Sequence, residues 1–344
     1  MKSKIISILK YLFFLLLGVG LLFLAFKNIE LKAVWTELKN ADYSWLIASM
    51  VLAIISHFFR ALRWNQLINQ MNYRTSSLTT FYAVMIGYLA NLALPRMGEV
   101  TRCVVLSKKD RIPFNELFGS VIAERVFDLI VLLVMIVIVL LAQIKEIGGF
   151  LNRIIFKPLL GSYTGNFWAI LVVFLSAILL AIIFIVLFRK LKPWLKTTMF
   201  YSKAEAFLDG FVDGMKSIAK VKNKAVFLFY TFMIWSLYLA MIILPFYSFE
   251  ETSFLGVIDG MTVLSIGSLG IVAPVPGGIG SYHFIITELF TQLYQVPAQA
   301  AAAYATANHA AQTILILIGG GISYILLLLN KRKPLNELPK QDTK

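Results

Sequence analysis

Long apolar runs alternate with short polar interruptions along this chain. Six runs, at residues 9–26, 43–62, 117–142, 167–188, 226–249 and roughly 300–329, are each long enough to cross a bilayer. A hydrocarbon core of about 30 Å takes about 20 apolar residues at a helical rise of about 1.5 Å each. Helix is the conformation required, because lipid offers no partner to an open backbone N–H or C=O. The runs do not alternate apolar with polar residues, as a barrel strand would, and residues 129–141 are apolar throughout. The first run follows Lys2, Lys4 and Lys10 and continues to Phe26 without a clear small-residue cleavage site, so it reads as a span rather than a cleaved signal.

Two further runs are interrupted. Residues 78–94 are apolar, but Pro95, Arg96, Met97 and Gly98 break the pattern and a basic cluster at Arg102, Lys108, Lys109 and Arg111 follows. Residues 95–106 would reach only about 18 Å as helix, too short to span. The pattern predicts a re-entrant hairpin at 78–106 that enters and leaves on the cytoplasmic side, since basic residues collect there. Residues 254–273 and 281–294 flank a second break at Pro274, Val275, Pro276, Gly277, Gly278, Ile279 and Gly280. A re-entrant hairpin at 254–294, entering from outside, or two thin full spans, fits this stretch equally by parity.

The predicted fold is therefore all-α: a polytopic membrane bundle of about six full spans plus two Pro/Gly-broken re-entrant hairpins, with N-terminus and C-terminus cytoplasmic. It forms a single membrane domain over residues 1–344. Residues 1–8 are a cytoplasmic N-terminus, and 9–188 are a first half holding the hairpin 78–106. Residues 189–225 form a basic cytoplasmic loop, 226–329 a second half holding the hairpin 254–294, and 330–344 a basic cytoplasmic tail. The loop 189–225 has nine bases against three acids, and Phe207, Leu208, Phe211, Met215 and Ile218 recur at helical spacing, as in a helix lying on an anionic leaflet. The segment 27–42 has three bases against three acids and reads as an outside loop. One broken segment in each half, entered from opposite faces, is the arrangement expected around the central site of a transporter.

Composition agrees with this and narrows it. The chain is 59% apolar and 15% charged, with mean hydropathy +0.79, which a soluble domain of this size could not bury. The formal charge of +14 is explained by loop topology rather than by nucleic-acid binding. Cys103 is the only cysteine, and the three histidines, His57, His283 and His309, are far apart in sequence, so no metal site and no cofactor is expected. No phosphate-binding P-loop is present.

Charges at bilayer depth cost about 2.5–3.5 kcal/mol or more and mark function or a partner. Arg96, Glu99 and Arg102 lie on the first hairpin, and Glu124, Arg125 and Asp128 on the helix after it. Glu124 and Asp128 share a helix face, and internal pairing of Glu99 with Arg125 or Arg102 with Asp128 is the structural alternative to a binding role. Arginine suits phosphate through its planar fork of donors. Pro276, Gly277, Gly278 and Gly280 would contribute backbone, with a helix start near Gly280 suited to an anion. Asp259, His283 and Glu288 are secondary candidates. Arg60, Arg63 and Trp64 read as an interfacial anchor, and the alanines of 298–311 with Gly319, Gly320 and Gly321 as close-packing faces.

Pro95, Arg96, Gly98, Glu99 and Arg102 resemble the P-x-R-x-G-E-x-x-R signature of the transmembrane region of lysylphosphatidylglycerol synthases. Glu124, Arg125 and Asp128 resemble its E-R-x-x-D element, and Pro276, Gly277, Gly278, Ile279 and Gly280 its late glycine turn; the three stand in the family's order. The resemblance implies a flippase-like membrane protein of the cytoplasmic membrane that moves phospholipid, such as aminoacylated phosphatidylglycerol, or a lipid-linked substrate. Its partners would be membrane lipids with an anionic headgroup and a separate synthase or envelope-biosynthesis protein, with no nucleic acid. The soluble aminoacyl transferase domain of two-part members is not in this chain, so it is expected not to be an enzyme and to have no catalytic residues. A membrane-embedded transferase acting on a lipid-linked donor, or an accessory subunit of a lipid synthase, is the alternative.

Overall fold

The computed structural model describes residues 2–143, 221–272 and 275–330. The predicted span 167–188 and the amphipathic stretch 207–218 lie outside them. The described residues form helices α1 (Lys2–Phe26), α2 (Leu31–Asn40), α3 (Tyr43–Gln70), α4 (Ser77–Ala93), α5 (Met97–Asp110), α6 (Phe114–Ala142), α7 (Lys224–Ile243), α8 (Val257–Val272), α9 (Ser281–Leu293) and α10 (Ala298–Leu329). Four of these, with α7 extended by a 3-10 turn to Ser248, are long and apolar enough to cross a membrane, and α1 with α2 adds a fifth if that bent pair counts as one span. Their outward faces are apolar: α6 exposes Leu133, Val134, Val137 and Leu141, and α10 exposes Leu317, Ile318, Ile325 and Leu329. The molecule is an integral membrane helical protein.

The two interrupted runs fold as helical hairpins. In the first, α4 and α5 approach so closely that a Cβ at Gly98 would collide with the Gly87 carbonyl oxygen. Asn91 of α4 accepts from the Gly98 N–H at 2.6 Å, meeting one of the donors that a helix start leaves open. At the other end of this hairpin Thr75 Oγ1 donates to Asp110 Oδ2 at 2.5 Å, so its entry and exit lie side by side. In the second hairpin α8 and α9 flank the glycine turn, where Gly277, Gly278 and Gly280 all have positive φ.

Close helix contact is made by small residues, as lipid supplies no hydrophobic drive between helices. Gly319 and Gly320 of α10 lie against Met85 and Leu89 of α4. Ala300, Ala301, Ala302 and Ala303 are fully buried beside Tyr304, whose hydroxyl donates to the Ile242 carbonyl at 2.8 Å. The segment expected as an outside loop differs: residues 31–40 form α2, turned 85° from α1. Val34 faces the buried cluster of Phe246, Phe290 and Tyr304, while Leu31 and Trp35 are exposed.

Candidate functional site

The charges of α3, α5 and α6 converge on one buried cluster. Glu124 is fully buried, and its Oε1 accepts from Arg60 Nε at 2.7 Å while its Oε2 faces Arg102 Nη1 at 3.3 Å. Asp128 accepts from Arg60 Nη2 at 2.6 Å and from Arg63 Nη2 at 2.7 Å. Arg60 Nη1 donates to the Tyr238 hydroxyl at 2.7 Å and Arg63 Nη1 to Thr231 at 3.2 Å, both on α7. Helical spacing brings this about: Arg60 and Arg63 are i, i+3 on α3, Glu124 and Asp128 i, i+4 on α6, and Thr231 and Tyr238 i, i+7 on α7.

Arg60, Arg63 and Trp64 are therefore not an interfacial anchor. Their exposures are 3%, 0% and 0%, because α3 runs on to Gln70 and puts them inside the bundle rather than at its rim. Trp64 donates to Ser120 at 2.9 Å and supports Arg102, whose guanidinium stands 4.6 Å from its ring centroid. The pairing of Glu99 with Arg125 is present at 3.1 Å, whereas Arg102 pairs with Glu124 and not with Asp128. Burying ions costs several kcal/mol each unless partners are well placed. Here Arg60 and Arg63 use up Asp128 and one oxygen of Glu124.

Beside this cluster lies a small cleft of about 10 Å³, lined by Val84, Gly87, Tyr88, Asn91, Gly98, Glu99, Arg102 and Arg125. Arg102 Nε and Nη2 and Arg125 Nε are buried and have no hydrogen-bond partner among the described residues. Counted together, four arginines face three carboxylates, a surplus of one positive charge. Arg96 does not line the cleft: it is exposed and occupies the N-cap position of α5 in the left-handed region, at φ 63°.

The remaining predicted residues are placed elsewhere. The glycine turn does not line the cleft. Its Gly277 meets Leu92 in the last turn of α4, and a Cβ at Gly280 would collide with the Gly18 carbonyl oxygen of α1. His309 Nε2 lies 2.9 Å from the Gly277 oxygen and must donate to it. His283 sits 4.9 Å from His309 between ring centroids, and Asn308 donates to the Tyr282 hydroxyl at 2.8 Å. Among the described residues no group of three His, Cys, Asp or Glu side chains is placed to hold a metal. Asp259 accepts from Gly256 N–H at 2.8 Å and from Gln143 Nε2 at 2.7 Å, so it caps α8 and ties it to α6. Glu288 lies on α9, away from the cleft lining. Asn91, Tyr88 and Tyr238 went unnoticed in the sequence because single polar or aromatic residues in an apolar run carry no spacing signal.

Buried ion pairs, a cleft between a broken hairpin and its neighbours, and apolar outer faces define a polytopic membrane protein with an internal polar site. The chain belongs to the family of the lysylphosphatidylglycerol synthase TM region, which matches residues 8–320. The protein named Glycosyltransferase AglD of Haloferax volcanii is 25% identical over 329 residues, 89% of this chain and 52% of that protein. The UPF0104 membrane protein MJ1595 of Methanocaldococcus jannaschii is 29% identical over 130 residues, 37% of this chain and 36% of that protein. A UPF0104 membrane protein of Methanothermobacter thermautotrophicus is 24% identical, over 77% of this chain and 80% of its own length. The chain thus spans about half of the first of these relatives and about a third of the second. No solved structure matches. The expectation that the chain is not an enzyme is corrected by the first relative, a protein named as a glycosyltransferase that aligns with most of this sequence.

Proposed function

We propose that this protein binds the phosphate of an anionic lipid, a phospholipid or a lipid-linked substrate, in the cleft of the first hairpin and moves that lipid across the cytoplasmic membrane. The supporting observation is the division of labour in the charged cluster. Asp128 and one oxygen of Glu124 are occupied by Arg60 and Arg63, while Arg102 and Arg125, which line the cleft, keep buried donors without a partner among the described residues. A phosphate there would meet donors already aimed and already dehydrated, and it would offset the surplus positive charge.

In this reading α4–α5 is a re-entrant hairpin open to the cytoplasm and α8–α9 one open to the outside. Both chain termini are cytoplasmic, and the two hairpin tips meet where Leu92 covers Gly277. Alternating exposure of the cleft to the two leaflets then requires the broken segments to shift against each other. A second reading is favoured by the relative named as a glycosyltransferase: the same cleft presents a lipid-linked donor for group transfer.

Leaflet exchange in sealed proteoliposomes tests the first reading, with headgroup-labelled phosphatidylglycerol and its lysylated form. Exchange should exceed that of empty vesicles by about tenfold and fall toward the empty-vesicle rate in Arg102→Gln, as expected when a charged hydrogen-bond donor is lost. Absence of exchange with both lipids, alongside sugar transfer from a polyprenyl-phosphate donor, would replace it with the second.

A further inference from the structure

The interface of α3, α4 and α7 holds polar groups that the cleft does not account for. Ser56 and His57 lie about one turn, or roughly 6 Å, along α3 from Arg60 toward the Tyr43 end. Ser56 Oγ and His57 Nδ1 are buried and have no hydrogen-bond partner among the described residues, and neither has Trp235 Nε1 on α7. His57 is 6% exposed, and its ring lies 4.6 Å from that of Tyr88 between centroids. Tyr88 also lines the cleft, and its hydroxyl too is buried without a hydrogen-bond partner among the described residues; on α7, Trp235 rests against the ring of Tyr238, the Arg60 partner, at 6.1 Å between centroids. Tyr88 thus belongs to both places.

We infer that Ser56, His57, Tyr88 and Trp235 form a second subsite, continuous with the cleft, for the uncharged hydroxyl-bearing part of the lipid headgroup. Three observations carry this. Buried polar atoms without partners are rare and costly in folded proteins, and three of them fall on α3 and α7, with His57 directly against the ring of Tyr88. None of the four residues carries a formal charge at pH 7, so they would not add to the hold on phosphate exerted by Arg102 and Arg125. Finally, hydroxyl, imidazole, phenol and indole supply single donors and acceptors with flat apolar faces, which suits a glycerol or a sugar ring. A headgroup without hydroxyls would leave those atoms unpaired, which is how such a site discriminates.

The inference rests on the lipid-phosphate reading, and the experiment separates the two. Native mass spectrometry of the full chain would compare phosphatidylglycerol with phosphatidylpropanol, which carries the same phosphodiester charge and lacks the hydroxyls. A polyprenyl phosphoglucose and its propyl phosphodiester counterpart form a second pair. The hydroxylated member of at least one pair should bind about fivefold or more tighter, the scale of one buried hydrogen bond. His57→Phe and Trp235→Phe keep the rings and remove the nitrogens. Each should bring that ratio toward one while binding of the propyl lipid stays within about twofold, and two variants guard against one failing to fold. Equal binding within both pairs would overturn the subsite and leave phosphate recognition standing. Binding of none of the four lipids would overturn both.

Discussion

The two broken hairpins solve the same problem, irregular backbone inside an apolar bundle, by opposite means. In the first, side-chain charge does the work: Glu124 and Asp128 on α6 hold three arginines from two other helices, and Asn91 closes the start of α5. In the second, no charge lies in the turn, and of its three positive-φ glycines Gly277 fits against α4 and Gly280 against α1, with a histidine hydrogen bond to the Gly277 oxygen. The first arrangement leaves charged donors over, whereas the second leaves only neutral polar atoms, among them Ser265 Oγ, His283 Nδ1 and Thr287 Oγ1, and little room at its turn. The difference teaches that a Pro/Gly break by itself does not fix the chemistry around it. What tells the two apart is a charged donor that the fold places but does not satisfy.

Substitutions can break this comparison, beginning where the largest change is expected. Glu124→Gln removes the carboxylate shared by Arg60, Arg63 and Arg102 and should cost about 3–5 kcal/mol, the penalty for unpairing buried charge. Thermal unfolding in nanodiscs would show it, and a wild-type melting temperature would mean that the cluster does not hold the hairpin. Gly280→Ala should destabilise by about 2 kcal/mol or more, because the methyl meets the α1 backbone and φ is +85°. Gly319→Ala, where only the flexible end of Met85 intervenes, should change stability by less than about 1 kcal/mol. If the two glycine variants melt alike, the turn is not tightly fitted.

The smallest effect belongs outside the membrane. Asp42 caps α3 by accepting from Ser44 N–H at 2.9 Å, and this hydrogen bonding holds its carboxyl below the usual range. A lowered folded-state value means that the cap's contribution is present above the ordinary carboxylate range and fades as pH falls through the folded value. Asp42→Ala should therefore lower the melting temperature by about one degree near neutrality. In strong acid the variant should match wild type; a gap that persists there would assign the effect to something other than the cap.

Much of this architecture could be read from residue order. The lengths of the apolar runs and the two Pro/Gly breaks locate both hairpins, because helix length and breakers act locally. The Glu99–Arg125 pair was legible for the same reason. Arg60 and Arg63 were misread because a charge near the end of an apolar run ordinarily sits at the interface. A signal was available: Ser49, Ala53, Ser56, Arg60 and Arg63 follow one helix face at spacings of four and three, a polar stripe that points inward. Helix α2 also carried its pattern, Leu31, Val34, Trp35 and Leu38, beneath lysines and glutamates that suggest a loop. The contact of Leu92 with Gly277 had no such trace, since it joins residues from the two halves.

The charged cluster also bears on how the chain is made. Its widest ion pair joins Arg60 to Asp128, 68 positions along the chain, and every ion pair among the described residues lies between these two positions. At about 5–20 residues per second, synthesis covers that interval in seconds. The nascent chain can neutralise its most lipid-averse residues among themselves while the second half is still on the ribosome. The glycine turn, by contrast, waits for His309, so the two hairpins mature in sequence, charge first and shape afterwards.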